Sequence, residues 1–256
     1  MRDYIRNIQF AKYLPSEVCM NYRVPGEYSF FKKAFEDNTY TAEEVEDTDF
    51  VQDMKNGRLE IQDFCSNGIM TGYYYCKSAD AFNKLLDRID PREEVYLFHI
   101  VRAVRDGYED YARAFLKDWR MTSVDDIEPT EGMKSYMKRL NEIIKEMCPI
   151  YAVVAILPSQ YLWTWISRRL ISSMHFNPGI YLSWFEACTE PNTSYALGNY
   201  ITNWTKDRRE FDYDVANSIY KEFMDFEFTL FTEAYHYVPP EVKAAKRRKI
   251  WGWGRP

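Results

Sequence analysis

Glu227 is a carboxylate that could do chemistry, because it lies in an apolar stretch between Phe226 and Phe228. A carboxylate in such surroundings is seldom buried without a partner or a task. With an ordinary pKa of about 4.3 it would be a weak base, but burial would raise that value. We therefore expect either an acid–base role for Glu227 or a structural bond to an arginine or a tyrosine.

Ser159 is the candidate nucleophile, and it follows a proline in a long apolar segment where a small residue also favours packing. A serine hydroxyl needs an adjacent base, usually histidine, before it can attack. The histidines are poorly placed, since His99 is expected in another helix, His175 in a loop and His236 at the end of the last helix. Glu227 could be the base if it converges with Ser159. Otherwise Ser159 lines a pocket or fills space.

The elements that must position these residues are predicted to be helices. Apolar residues recur at helical spacing, and no stretch alternates for long with the period of a strand. Helices are expected from a capping box at Thr41 and Glu44 up to Gly57, and then at residues 62–89, 93–119, 131–147, 150–171, 179–188, 193–206 and 211–234. Pro158 should bend the helix that carries Ser159. The pattern predicts one all-α bundle at residues 41–238, with an irregular extension at 1–40 and a basic, aromatic tail at 239–256.

Composition narrows the classes of function. No apolar run approaches the roughly 18 residues that a membrane span needs, and the charged amino terminus lacks the apolar stretch of a signal peptide. We therefore expect a cytoplasmic protein with no membrane partner. The five cysteines are odd in number and include no Cys-x-x-Cys pair, which argues against a disulfide framework or a zinc site.

Charge is distributed unevenly along the chain, whose net charge is −6. From Glu241 onward six basic residues accompany one acidic residue. The acidic body disfavours nucleic acid binding. The tail, which also carries Trp251 and Trp253, could contact an acidic partner or simply be solvated.

A di-iron site in a helical bundle would need a Glu-x-x-His pair repeated across helices. Only Glu233 and His236 have that spacing, and they lie close to Pro239. The sequence therefore predicts no metal and no cofactor.

Four pieces of the chain, in a fixed order between about residues 46 and 236, carry a resemblance to a known family. They are Phe50-Val51 through Gly57-Arg58-Leu59 to Phe64; Tyr73-Tyr74-Tyr75; Leu157-Pro158-Ser159 through Trp163; and Tyr181-x-x-Trp184 together with Phe226-Glu227-Phe228-x-x-Phe231. The first resembles the opening helices of the thiaminase II (TenA-like) family. The others resemble its "QDYxYL", "LPCxWxY", "YxxWI" and "YExxFW" elements.

The resemblance implies a haem-oxygenase-like helical bundle without haem, usually a homo-oligomer, that hydrolyses aminopyrimidines derived from thiamin in vitamin B1 salvage. It implies that a cysteine attacks the pyrimidine, a glutamate handles protons, an aspartate holds the ring and tyrosines orient it. On this chain Glu227 matches the glutamate. Tyr74 and Tyr181 match pocket tyrosines, and Tyr136 falls at a suitable spacing for another, although each could equally be a core residue.

The chain departs from the family pattern at three of these positions. Ser159 replaces the cysteine, Thr71 stands where the aspartate would be, and Trp163 replaces a tyrosine. A thiol has a pKa near 8.5 and is readily ionised, whereas a serine hydroxyl is far less acidic. Losing a hydrogen bond to a charged group costs about 1.5–3 kcal/mol. Thr71 still offers a hydroxyl, so a different heterocycle could be recognised.

Three functions are compatible with the sequence. The first is a diverged TenA-like protein that binds or hydrolyses a small aminopyrimidine-type heterocycle, with Glu227 as acid–base group and aromatic side chains forming a cage around the ring. The second is a non-catalytic ligand-binding or assembly protein on the same scaffold. The third is a cofactorless or metal-dependent oxidase in the manner of the pyrroloquinoline-quinone synthase relatives.

Overall fold

The computed structural model describes residues 23–27, 29–206 and 211–235, and every regular element in these ranges is helical. The all-α prediction is thereby confirmed. In chain order the helices are α1 (Phe30–Asp37), α2 (Thr39–Glu46), α3 (Asp49–Lys55), α4 (Ile61–Leu86), α5 (Val95–Asp118), α6 (Glu131–Glu146), α7 (Ile150–Ile171), α8 (Leu182–Ala187), α9 (Asn192–Thr205) and α10 (Tyr213–Ala234). Short 3₁₀ turns at Val124–Asp126 and Gly179–Tyr181 precede α6 and α8.

Helix α7 lies at the centre of the bundle. All nine residues from Ile150 to Pro158 are buried, and a helix that is apolar all round must be covered on every side. Helix α10 packs along α7 and also contacts α6 and α4, while α4 packs along α5 and α6. The facing surfaces of α4, α5, α6, α7 and α10 therefore enclose the core that holds the candidate site.

The amino-terminal region differs from the prediction that residues 1–40 are irregular. Helix α1 lies within that range, because Ser29 caps its first turn and its aromatic residues face the core. The rings of Phe31 and Phe35 pack against Tyr161 of α7, with centroids 4.8 and 4.7 Å apart. Part of the predicted extension therefore belongs to the bundle, and the other domain boundaries stay predictions.

The predicted helix start at Thr41 is wrong. Thr41 is buried inside α2, and the cap of the next helix is Thr48, whose hydroxyl oxygen accepts a hydrogen bond from the amide of Val51 at 3.5 Å. The predicted stop at Gly57 is confirmed, with a φ of 66°. A β-carbon there would lie 2.9 Å from the carbonyl oxygen of Asn177, so both conformation and space require glycine.

The remaining helices lie within about three residues of their predicted bounds, except that residues 179–188 divide into a 3₁₀ turn and α8. Pro158 is accommodated inside a continuous α7. In the part of the chain that the structure describes, no helix has the length and apolar character needed to cross a membrane. The four described cysteines are free thiols. His236 and the basic tail lie outside the described residues.

Candidate active site

Glu227 lies on the inner face of α10 and is only 5% exposed. Phe223, one turn before it, and Phe231, one turn after it, are also buried, so the carboxylate interrupts an apolar stripe. Its Oε1 accepts a hydrogen bond of 3.0 Å from the hydroxyl of Tyr136 on α6. The partner is thus a tyrosine, one of the two residue types expected from the sequence.

Burial raises the pKa of Glu227 to about 7, and the hydrogen bond from Tyr136 opposes that rise only in part. A carboxyl group that titrates near neutral pH can both accept and release a proton under physiological conditions. The rise that burial was expected to cause is therefore present, and it makes Glu227 chemically suited to acid–base work.

Tyr136 is held rigidly against its neighbours. Its ring stacks on Phe226 at 5.1 Å with an interplanar angle of 16°, and it meets Phe223 edge to face at 5.0 Å. The ring of Tyr74 from α4 lies 5.0 Å away on another side. Because the ring cannot turn without displacing these neighbours, the hydroxyl stays directed at Glu227.

Tyr74 is the meeting point of several hydroxyl groups. Its hydroxyl lies 3.4 Å from that of Tyr108 on α5. Burial raises the pKa of Tyr74, the hydrogen bond with Tyr108 opposes the rise, and the charge of Glu227 adds to it. Helices α4 and α5 therefore each bring one hydroxyl to this point, beside the ring of Tyr136 from α6.

Tyr108 is a member of this cluster that sequence reasoning missed. In the sequence it is one of several apolar positions on the inner face of α5, and it is fully buried in the structure. Its partner Tyr74 lies 34 positions earlier in the chain. No spacing pattern within one helix could have indicated that pairing.

Ser159 lies half-buried on α7, near Tyr74. Its hydroxyl donates a hydrogen bond of 2.9 Å to the carbonyl oxygen of Ile156 and accepts one of 3.2 Å from the side-chain amide of Gln160. In this arrangement the hydrogen of the hydroxyl is directed at a carbonyl oxygen of its own helix. The hydroxyl is thus not activated by direct contact with a base.

Trp163 follows Ser159 by one turn of α7 and forms the next layer of the core. Its ring meets Phe231 of α10 edge to face at 4.3 Å and Trp184 of α8 at 4.6 Å. Since Phe231 follows Glu227 by one turn, Trp163 borders the cluster at one end. The structure therefore brings Ser159, Trp163 and Glu227 to the facing sides of α7 and α10.

Neither Tyr181 nor Thr71 is joined to Glu227 by a contact among the described residues. The buried Tyr181 hydroxyl donates a hydrogen bond of 2.6 Å to the carbonyl oxygen of Leu59, and its ring packs on Phe64 at 5.1 Å. Thr71 is half-buried on α4, one turn before Tyr74. Among the described residues no hydrogen bond or ring contact joins Tyr181 to Glu227, so its polar atom is used to hold α8 on the loop before α4.

Glu233, the first residue of the Glu-x-x-His pair, has a structural role. Both carboxylate oxygens of Glu233 lie 3.1 Å from the amide nitrogen of Gly132, at the amino terminus of α6. An acidic side chain there satisfies a free helix amide and interacts favourably with the helix dipole. Within the described ranges no group of three or more His, Cys, Asp or Glu side chains is placed to hold a metal ion.

A groove that is open to solvent, with a volume of about 570 Å³, lies at the carboxyl end of α7. Trp165, Arg168, Arg169, Glu46 and Lys55 are among its lining residues, and it shares no residue with the cluster around Glu227. The candidate site is therefore distinct from it. The cluster is a closed, ring-packed centre whose half-buried members are Thr71, Ser159 and Trp163.

The fold and the site together define a class of protein. It is an all-α bundle whose centre holds a buried carboxyl group, with a pKa of about 7, beside tyrosine side chains.

No family model matches the chain, and no curated protein matches it. Solved structures do match. A TenA homologue from P. horikoshii OT3 is 19% identical and has a TM-score of 0.65, covering 81% of this chain and 98% of its own.

Two further solved structures give the same result. A protein described as a TenA family transcription regulator, from Silicibacter sp. TM1040, has a TM-score of 0.66 at 12% identity, over 81% of this chain and 97% of its own. A putative TenA-like thiaminase from Sulfolobus solfataricus P2 has a TM-score of 0.58 at 13% identity, over 81% and 96%. This chain therefore has the TenA-like helical fold, and the resemblance is confirmed at the level of the fold.

Proposed function

We propose that this chain is a diverged TenA-like protein that binds or hydrolyses a small aminopyrimidine-type heterocycle, with Glu227 as its acid–base group. The observation that carries the proposal is the buried hydrogen bond between Tyr136 and Glu227. Glu227 lies at the position that corresponds to the family's glutamate. Its pKa of about 7 makes both of its protonation states accessible at neutral pH.

An aminopyrimidine suits these groups chemically. Its ring nitrogens accept hydrogen bonds and its amino group donates them, so a carboxyl group can pair with it in either protonation state. Its flat faces can pack against aromatic side chains. Tyr74, Tyr136 and Trp163 are proposed to contact the ring, with Thr71 and Tyr181 at the edge of the site. The half-buried side chains of Thr71, Ser159 and Trp163 mark the side from which a ligand would approach.

Hydrolysis would require a nucleophile, and Ser159 occupies the position of the family's cysteine. Its hydroxyl proton must leave as the oxygen attacks, and the residue that can take it is Glu227. A non-catalytic binding protein is the second candidate. The observation that favours it is the hydrogen bond from Ser159 to Ile156, in which no base takes part.

The test is release of hydroxymethylpyrimidine from aminomethylpyrimidine, measured with the wild-type chain, Glu227→Gln and Ser159→Cys. Hydrolysis predicts product from the wild type, loss of about a hundredfold or more in kcat for Glu227→Gln, and an increase for Ser159→Cys. Glu222→Gln is the matched control, because Glu222 is on the same helix but pairs with Arg139 at 2.8 Å. Binding without product would select the second candidate, and neither binding nor product would overturn the proposal.

A further inference from the structure

We propose that the groove at the carboxyl end of α7 binds a phosphate monoester of a flat aromatic molecule, at a place separate from the site around Glu227. The groove is open to solvent and has a volume of about 570 Å³, which lies within the range of small-molecule sites. Aromatic rings, positive charges and hydroxyl groups line it together. This inference does not depend on the proposed function.

The aromatic part of the groove is formed by Tyr161 and Trp165, which lie one turn apart on α7. Both side chains are half-buried. The ring of Phe35 on α1 meets that of Tyr161 at 4.7 Å and that of Trp165 at 5.6 Å, edge to face in both pairs. Because Phe35 supports both rings, they are held in place before a ligand arrives. A flat ligand can then pack on them at little cost in side-chain entropy.

Positive charge dominates the groove, although the net charge of the whole chain is −6. The described residues that line it include three bases, Lys55, Arg168 and Arg169, and one acid, Glu46. The Arg169 guanidinium pairs with Glu46 at 2.8 Å and lies 4.4 Å from the centre of the Trp165 ring. In the described part of the chain neither Lys55 nor Arg168 forms an ion pair with a carboxylate. Two positive charges are thus left uncompensated, which is close to the charge that a phosphate monoester carries with opposite sign.

Arg168 is held in a position that suits an anion. Its Nε donates a hydrogen bond of 2.8 Å to the carbonyl oxygen of Thr189, in the turn between α8 and α9. That bond anchors one edge of the guanidinium group, and its two terminal nitrogens make no hydrogen bond to a described residue. Paired N–H groups of this kind match the oxygens of a phosphate group.

Ser173 gives a second indication of a ligand, because its Oγ is buried and has no hydrogen-bond partner among the described residues. Most buried hydroxyl groups have a partner. Ser173 lines the groove, and its hydroxyl can turn about the Cα–Cβ bond, so a phosphate oxygen in the groove can accept its hydrogen. Ser172 differs, since its hydroxyl donates to the carbonyl oxygen of Arg168 at 3.0 Å.

Helix ends account for only part of this positive charge. Lys55 lies in the last turn of α3, and Arg168 and Arg169 lie in the last turn of α7, where the helix dipole favours cations. Each helix end carries about half a negative charge, so two ends offset about one of the two uncompensated charges. The carbonyl groups there also have their own donors, since that of Lys55 accepts a hydrogen bond of 3.0 Å from the amide of Asn177. A positive excess therefore remains for a ligand.

Calorimetric titration of the full chain with phenyl phosphate, at low ionic strength, tests the site. Phenyl phosphate should bind about tenfold more tightly than inorganic phosphate, because only the ester has a ring. It should bind at least about tenfold more tightly than benzyl alcohol, because only the ester has a charge. Saturating aminomethylpyrimidine should leave its affinity unchanged, since the groove shares no residue with the cluster around Glu227. Binding weaker than about 10 mM, equal binding of inorganic phosphate, or displacement by the pyrimidine would overturn the proposal.

Substitutions on the groove locate the binding. Lys55→Gln and Arg168→Gln should each weaken the binding of phenyl phosphate by about tenfold or more. Arg113→Gln is the matched control, because Arg113 is an exposed arginine of α5 that pairs with Asp110 at 2.9 Å and does not line the groove. Equal losses of affinity for Arg168→Gln and Arg113→Gln would show attraction to surface charge in general and would overturn the site.

Glu46→Gln gives a test of the opposite sign. It removes the negative charge from the lining and leaves Arg169 without this partner, so phenyl phosphate should bind about three- to tenfold more tightly. A purely structural role of the pair between Glu46 and Arg169 predicts no gain in affinity. The variant should fold, because an ion pair at the surface contributes little to stability. Unchanged or weaker binding by folded Glu46→Gln would contradict the proposal.

Discussion

The hydroxyl of Tyr136 on α6 donates a 3.0 Å hydrogen bond to Oε1 of Glu227 on α10, across 91 positions of sequence. This contact makes an otherwise costly buried carboxylate tolerable, because a hydrogen bond compensates part of its lost hydration. It also sets the orientation of the one titrating group at the centre of the tyrosine cluster.

Stability should fall as pH rises through neutrality, because the pKa of Glu227 is about 7 when folded against an ordinary 4.5. The folded state binds the proton more tightly, so the stabilisation is fully present below about pH 4.5 and is lost as pH rises through 7. The loss attributable to this group is on the order of 3 kcal/mol. Urea unfolding at pH 5 and pH 8 should show this difference between the wild type and Glu227→Gln, whose stability lacks this pH dependence. Parallel pH profiles for the two proteins would contradict the prediction.

Tyr136→Phe should destabilise the chain by about 1–3 kcal/mol at pH 8, where Glu227 is ionised and loses its donor, and by less at pH 5. Tyr220→Phe is the matched control, since Tyr220 is fully buried on α10 and its hydroxyl has no hydrogen-bond partner among the described residues. Removing that hydroxyl should be neutral or stabilising. Equal costs for the two variants in chemical unfolding would show that the bond to Glu227 contributes nothing specific.

Glu233→Ala should cost about 1 kcal/mol, because the carboxylate caps α6 through the amide of Gly132. Thermal unfolding at pH 7 measures this cost. An unchanged stability in Glu233→Ala would contradict the cap.

Gly72→Ala should destabilise the chain by about 1–3 kcal/mol through overpacking between α4 and α5. A β-carbon there would lie 2.3 Å from a ring carbon of Phe115. Gly68→Ala on the same helix is the control, because its β-carbon would lie 3.7 Å from Trp119, which is ordinary contact. That variant should be neutral or more stable by up to about 1 kcal/mol, as alanine favours helix. A stable Gly72→Ala would mean that α4 and α5 are less closely packed than described.

Much of the fold could be predicted from sequence, since the information is local. Helix α7 begins and ends at the predicted residues because a largely apolar segment is bounded by Pro149 and by Ser172-Ser173. Helix α1 was missed because two short helices meet at Asn38, which breaks the helical period. Its burial depends on Tyr161, which is distant in sequence.

The candidate site could be predicted only in part. The position of Glu227 within an apolar stretch predicted its burial and its raised pKa. That Tyr136 and not an arginine would meet it depends on how α6 and α10 pack, which no single-helix pattern specifies. Tyr108 and Tyr181 show the same limit, because their partners, Tyr74 and Leu59, lie on other elements. The homo-oligomer implied by the resemblance stays a prediction.

The central claim, that Glu227 is the acid–base group of a heterocycle site, is tested most directly by calorimetric binding of aminomethylpyrimidine between pH 5 and 9. We predict binding by the wild type with an affinity that changes around pH 7, and a loss of at least about tenfold with no such pH dependence in Glu227→Gln, while Glu222→Gln behaves as the wild type. Equal binding by wild type and Glu227→Gln, or no binding at any pH, would contradict the account.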